Sequence, residues 1–174
     1  MIISGQRDVG KTTLIWSLEK KLNWPMFSVS QYLRDFHKVE GLQRKSQTEL
    51  AKYDLILGQD IDNRIAELLK SEHRVIIESR VFHFVKESWL GVLKVLLTAS
   101  DEVRVNRNAF REGIDVSKSR QRLLMKEDAW MQKMANQYGF SDFFEPKYFD
   151  LVIDTSDLTK EQVVEKVLDR IKGA

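Results

Sequence analysis

Gly5-Gln6-Arg7-Asp8-Val9-Gly10-Lys11-Thr12-Thr13 follows the apolar start Met1-Ile2-Ile3 and fits the pattern G-x-x-x-x-G-K-[ST]. Glycines at both ends let the backbone curl so that successive N–H groups point inward, and the helix behind them offers its positive end to an anion. Lys11 can reach the terminal phosphates of a nucleotide, and Thr12 can hold Mg²⁺. The loop is expected to bind phosphates through Gly5, Asp8, Val9, Gly10, Lys11, Thr12 and Thr13. Asp8 is the odd member. A carboxylate inside an anion cradle repels the ligand, so its side chain is expected to point outward.

The surroundings are those of a strand, a turn and a helix. Leu14, Ile15, Leu18 and Leu22 recur at helical spacing, with Glu19, Lys20 and Lys21 on the other side. Asn23-Trp24-Pro25 breaks the chain, Met26 to Val29 reads as a second short strand, and Ser30 is placed to cap a helix from Gln31. Leu50, Tyr53, Leu57, Ile61, Ile65 and Leu68 predict one or two amphipathic helices between Ser46 and Lys70. Val75 to Glu78, Val92 to Leu97 and Leu151 to Asp154 are three further strand candidates. Thr98 to Asp101 starts a basic helical stretch that runs to about Gln137, with a break near Gly113 and a second start at Asp115 to Ser119. Thr159 and Gln162 form a capping-box pair ahead of Val163, Val164, Val167, Leu168 and Ile171. Five apolar strands interleaved with helices predict an α/β fold, a parallel sheet covered on both faces, with ligands at the carboxyl ends of the strands.

Composition bounds the rest. At 174 residues, 43% of them hydrophobic, the chain holds one good core and is short for two, so a single domain is expected. A formal charge of +2 asks for neither a long nucleic acid nor a membrane partner. No cysteine is present, so there is no disulfide or thiolate metal site. The opening leaves no room for a signal peptide, and no apolar run approaches the ~20 residues of a membrane helix. The expectation is a cytoplasmic protein that acts as a monomer on small molecules.

Several charged residues fall where such a sheet gathers its active site. Arg34 lies four residues after Ser30, Glu78 and Arg80 end the third strand, and Arg104, Arg107 and Arg111 stack along one side of a helix. A carboxylate there can orient magnesium-bound water, and an arginine can fork onto phosphate. Stacked arginines are costly unless anions neutralise them. Together these residues look like a kinase site.

In order and spacing the chain resembles the P-loop nucleoside monophosphate kinases, and among them the archaeal-type cytidylate kinases. The resemblance is carried by the phosphate loop, Ser28-Val29-Ser30-Gln31-Tyr32-Leu33-Arg34, Val75-Ile76-Ile77-Glu78-Ser79-Arg80, the stretch Leu96 to Arg107, Arg111-Glu112-Gly113-Ile114-Asp115, and Tyr148 to Ser156. It implies a doubly wound five-stranded parallel sheet in the order 2-3-1-4-5. It also implies acceptor-binding helices over about 30–70 and a helical lid over about 104–137. The implied activity is phosphoryl transfer from ATP with Mg²⁺ to a nucleoside monophosphate, CMP or dCMP above others. The implied roles are Lys11 and the loop amides on the donor phosphates, Thr12 and, through water, Glu78 on Mg²⁺, and Ser30, Arg34 and Arg80 on the acceptor. Arg107 would lie on the donor base, and Arg111 would reach the transferring phosphoryl. Lys11, Arg34 and Arg111 are the catalytic candidates. Positioning and charge neutralisation carry such a reaction, and no general base is needed.

The second lid helix departs from the family. Where cytidylate kinases carry an arginine, an acid four residues on and an arginine three beyond that, counting back from Tyr138-Gly139 gives Lys126, Trp130 and Lys133. Lys126 and Lys133 keep charge for the acceptor without the bidentate fork, and Trp130 cannot accept a hydrogen bond from a sugar hydroxyl. A register one turn away brings Arg120, Arg122 and Asp128 there instead. Another small acceptor, or nucleotide binding without turnover, stays open. A GTP-dependent switch does not, because the chain has no D-x-x-G and no N/T-K-x-D. Trp16, Trp24, Trp89 and Trp130 read as core or interface residues. His37, His73 and His83 have no metal-ligand spacing.

Overall fold

The computed structural model describes residues 1–39, 47–71, 74–81 and 91–173. The side chains of His37, Leu50 and Tyr53, and residues His73, His83 and Trp89, lie outside what is described.

Five strands, β1 (Ile2–Gly5), β2 (Met26–Ser28), β3 (Ile76–Glu78), β4 (Lys94–Thr98) and β5 (Leu151–Asp154), form one parallel sheet in the order β2-β3-β1-β4-β5. This is the order that the family resemblance implies. In the ladder β1 is central, with Ile2 opposite both Ile77 and Lys94. Neighbouring residues of a strand point to opposite faces. Ile3, Ile76, Val95 and Leu97 accordingly pack with Leu14, Ile15 and Leu18 of α1 (Lys11–Leu22) and Val163, Val164 and Val167 of α6 (Lys160–Lys172). Ile2 and Ile77 pack on the other face with Leu57, Ile61 and Ile65 of α3 (Gln47–Lys70) and with partly buried Leu33 and Phe36 of α2 (Val29–Val39). Each apolar side chain so buried contributes about 1.5–3 kcal/mol.

The helix ends follow their chemistry. Asn23 closes α1 in a left-handed conformation, φ 53°, with its amide on the Glu19 carbonyl. Ser100 caps α4 (Asp101–Glu112), Asp115 caps α5 (Val116–Tyr138), and Thr159 and Gln162 close the expected capping box on α6. The second helix differs from its sequence reading. Val29 is its first residue rather than the end of β2, and the capping oxygen is Ser28 Oγ, which accepts from the Gln31 amide at 3.2 Å. Ser30 cannot cap because it already lies in the first turn; its hydroxyl donates to Glu78 Oε1 instead. Val75, Val92 and Leu93 precede their strands, since ladder pairing starts one or two residues later. Among the described residues no helix is long and apolar enough to cross a membrane.

Candidate active site

The carboxyl ends of β1, β2, β3 and β5 converge with α4 and α5 on the phosphate loop. Gly5 has φ 142°, and a Cβ there would stand 2.3 Å from the Leu97 carbonyl oxygen, so the loop can lie against β4 only with glycine at this place. Gly10 opens α1 at φ 95°. Lys11 folds inward, its ammonium donating to the carbonyls of Gly5 at 2.9 Å and Gln6 at 2.6 Å. Burial pushes that ammonium down from 10.5 to about 8; Glu78 opposes the fall, Arg80 adds to it, and Glu127 and Asp8 oppose it further. Thr12 and Thr13 are exposed on the first turn of α1. The Asp8 carboxylate points away from the loop interior, as expected, to Asn108 and Arg111 of α4.

On the other side, Glu78 is buried and accepts from Ser28 Oγ at 2.7 Å, Ser30 Oγ at 3.1 Å and the Ser30 amide at 3.3 Å. One carboxylate thus fastens the end of β3 to the start of α2. Arg34, one turn along α2, is exposed and donates to Gln31 Oε1 at 2.7 Å. Arg80 donates from Nη2 to Glu127 Oε1 at 2.5 Å and stands over the Trp130 ring, its guanidinium carbon 3.6 Å from the centroid. Burial pushes Arg80 down to about 10 and Glu127 counters this, so the guanidinium stays charged at neutral pH. Among the described residues Arg80 Nε is a buried donor with no hydrogen-bond partner.

Glu127 is what the sequence reading missed. Buried on α5, it also accepts from Arg104 Nη2 at 2.7 Å and lies 3.8 Å from Arg7 Nε, so guanidinium groups from the loop, β3 and α4 meet one carboxylate. A signal existed. Ser119, Leu123 and Glu127 recur every four residues as the buried stripe of α5, and an acid on such a stripe is expected to be paired. The arginine ladder of α4 therefore needs no external anion at two of its rungs. Arg104 has Glu127 and Asp101, and Arg111 has Asp8 and Glu112.

Arg107 donates to the Thr155 carbonyl at 2.7 Å, to Thr155 Oγ1 at 3.0 Å and to the Asp8 carbonyl at 3.3 Å. It borders a cleft of about 190 Å³ whose walls include Gly10, Thr13, Leu14, Thr155, Leu158 and Val163. Thr155 too was not anticipated. Lys126 lies at a small cleft with Arg7, Arg111 and Arg122, and Lys133 is exposed on the same helix. Trp130 is not a lone packing residue; Arg80, Phe143 and Phe144 surround its ring. Trp24 packs against the first core, whereas Trp16 is exposed.

The model of the cytidylate kinase-like family matches residues 28–157. The cytidylate kinase of Sulfolobus acidocaldarius is 30% identical over 168 residues, which cover 97% of this chain and 91% of that protein. That of Sulfurisphaera tokodaii is 28% identical over 163 residues, covering 94% and 89%. Among solved structures, the shikimate kinase of Bacteroides thetaiotaomicron has a TM-score of 0.61 at 16% identity over 98% of this chain and 96% of its own, a likeness of fold.

Proposed function

The chain belongs to the cytidylate kinase-like family, and from that premise we propose that it transfers the γ-phosphoryl group of ATP to cytidine monophosphate or its deoxy form. Arg80 carries this reading. It is a charged group at the end of β3, near enough to Lys11 to perturb its ammonium, held by Glu127 and Trp130, with a buried donor left to give. A dianionic acceptor phosphate satisfies that donor and neutralises the guanidinium.

The proposed assignments are these. The loop from Gly5 to Thr13 takes the donor phosphates on its amides, with Lys11 exchanging two neutral carbonyls for phosphate oxygens. Arg107 covers the donor base in the cleft floored by Leu14, Leu158 and Val163. Ser30, Arg34 and Arg80 hold the acceptor, Arg111 meets the transferring phosphoryl, and Lys126 and Lys133 add charge on the acceptor side. The oxygen donors fit Mg²⁺, namely the exposed Thr12 hydroxyl and the Glu78 carboxylate through water, a sparse set that suits an ion held largely by substrate phosphates. When bound, the ion neutralises charge on the β- and γ-oxygens. Residues 30–70 serve as the acceptor-binding segment and 104–137 as a lid, in a cytoplasmic monomer.

Initial rates of ADP release with CMP, dCMP, UMP, AMP and GMP test this reading. The cytidine nucleotides are expected to lead in kcat/KM. Turnover with AMP or UMP alone overturns the cytidine assignment, and no turnover with any acceptor overturns the transfer. One observation favours a second reading, another small acceptor. Trp130 stands where the resemblance puts an acid, and its ring is covered by Arg80.

A further inference from the structure

Asp8 is one of two non-glycine residues among those described with positive φ, at 63°. That conformation is uncommon outside glycine, although Asp and Asn adopt it more readily than other residues, and neighbouring contacts help to fix it. Here α4 supplies the surroundings in three consecutive contacts. Arg107 Nη1 donates to the Asp8 carbonyl at 3.3 Å, Asn108 Nδ2 donates to Asp8 Oδ2 at 3.0 Å, and Arg111 Nη1 donates to Asp8 Oδ1. The carboxylate is almost completely buried, at 3% exposure, while the Arg111 side chain keeps 57%. The grip extends to the next helix. Asn108 Oδ1 stands 3.0 Å from the buried Ser119 hydroxyl, whose single proton it shares with the Val105 carbonyl at 2.8 Å. One loop residue is thereby joined to both helices of the α4–α5 hairpin.

A negative charge in a phosphate loop works against polyanion binding, so its presence needs a compensating role. We propose that Asp8 is a positioning residue whose carboxylate fixes α4 against the loop and thereby sets where Arg111 stands relative to the donor phosphates. This rests on the phosphoryl-transfer reading of the site. The carboxylate does not touch the reacting atoms. It holds the Arg111 guanidinium, which would, whereas Arg107 bonds the Asp8 backbone carbonyl that any residue keeps, so loss of the carboxylate is felt in the rate of transfer rather than in donor affinity.

Asp8→Gly makes a clean test, because glycine accepts φ 63° without strain and the fold is not threatened. Asp8→Asn is the second variant; it keeps an oxygen for Asn108 and drops the charge on Arg111. Three readouts are taken on the full chain: kcat with the best acceptor, ATP binding by calorimetry, and amide hydrogen exchange across Asn108 to Glu112. In Asp8→Gly kcat is expected to fall about tenfold or more, with ATP bound no more weakly than in the wild type. Amide exchange in α4 is expected to speed up by about tenfold. Asp8→Asn falls between wild type and glycine. Unchanged kcat and exchange overturn the proposal, and so does a parallel loss of ATP affinity and kcat, which marks a collapsed loop. If the wild type transfers to no acceptor, the reading of the site fails instead, and exchange alone decides. Faster exchange then upholds the tether, and unchanged exchange overturns it.

Discussion

Arg80 stands over Trp130, 3.6 Å from ring centroid to guanidinium carbon, while Glu127 takes its Nη2 hydrogen at 2.5 Å. The arginine at the end of β3 is therefore held on one side by an aromatic face and on the other by a carboxylate, both carried on α5. Whatever moves α5 moves Arg80.

Trp130→Ala removes the ring under Arg80 and a partner of Phe143 and Phe144. Stability is expected to fall by about 2–4 kcal/mol, the lower part of the range for a large aromatic truncation because Trp130 is only half-buried. In kinetics the acceptor KM rises while the ATP KM holds, and Trp130→Phe restores most of both. Urea unfolding and a two-substrate rate matrix check this; equal changes in both KM values would place Trp130 outside the acceptor side.

Glu127→Gln keeps the shape and deletes the charge that faces Arg7, Arg80 and Arg104. Breaking a buried ion network at one partner costs about 3–5 kcal/mol. Arg7 is half exposed and screened, so most of the loss comes through Arg80 and Arg104. Replacing Arg80 and Arg104 together with Glu127 by methionine should recover part of it, because an apolar set leaves no buried guanidinium without its carboxylate. Denaturant midpoints of the three proteins decide the matter; a stable Glu127→Gln protein contradicts it.

Lys11 gives a pH dependence with a definite sign. Burial pushes its ammonium down to about 8 from the ordinary 10.5. Between those values the unfolded chain binds the proton and the folded chain does not, so this group's contribution makes the fold more stable as pH rises through the window. Phosphates favour the charged form. ATP binding is therefore expected to take up a proton around pH 8, and ATP affinity to weaken above it. Calorimetry near pH 8 in two buffers of different ionisation heat measures the uptake, which Lys11→Arg should abolish.

Thr155→Val deletes the hydroxyl that accepts from Arg107 and donates among the Val9 and Thr98 carbonyls. Leaving such buried groups unsatisfied costs about 1–3 kcal/mol. The ATP KM is expected to rise several-fold with the acceptor KM unchanged, as steady-state kinetics will read.

The strand order came only from the family resemblance. The strands and the phosphate loop were legible because each is a local pattern, such as an apolar run, a glycine that must turn, or a cap three residues before its partner. The capping box at Thr159 and the start of α5 at Asp115 are of that kind. Ser30 was misread as a cap because the helix starts two residues before Gln31, at Val29, after a strand that ends at Ser28 on pairing with Glu78, 50 residues away. Distance in sequence also hid Glu127, whose partners Arg80 and Arg104 are 47 and 23 residues off. The stacked arginines of α4 read as anion-seeking, and two of them find carboxylates within the chain. Trp130 was noticed as a departure, but its ring is meaningful only beside Arg80, which no spacing reveals.

Transfer of label from [γ-³²P]ATP to CMP in the presence of Mg²⁺, by the wild type and by Lys11→Met, tests the central claim most directly. Labelled CDP with the wild type and none above background with Lys11→Met is the expected result. Label on no nucleoside monophosphate, or equal label from both proteins, would contradict the account.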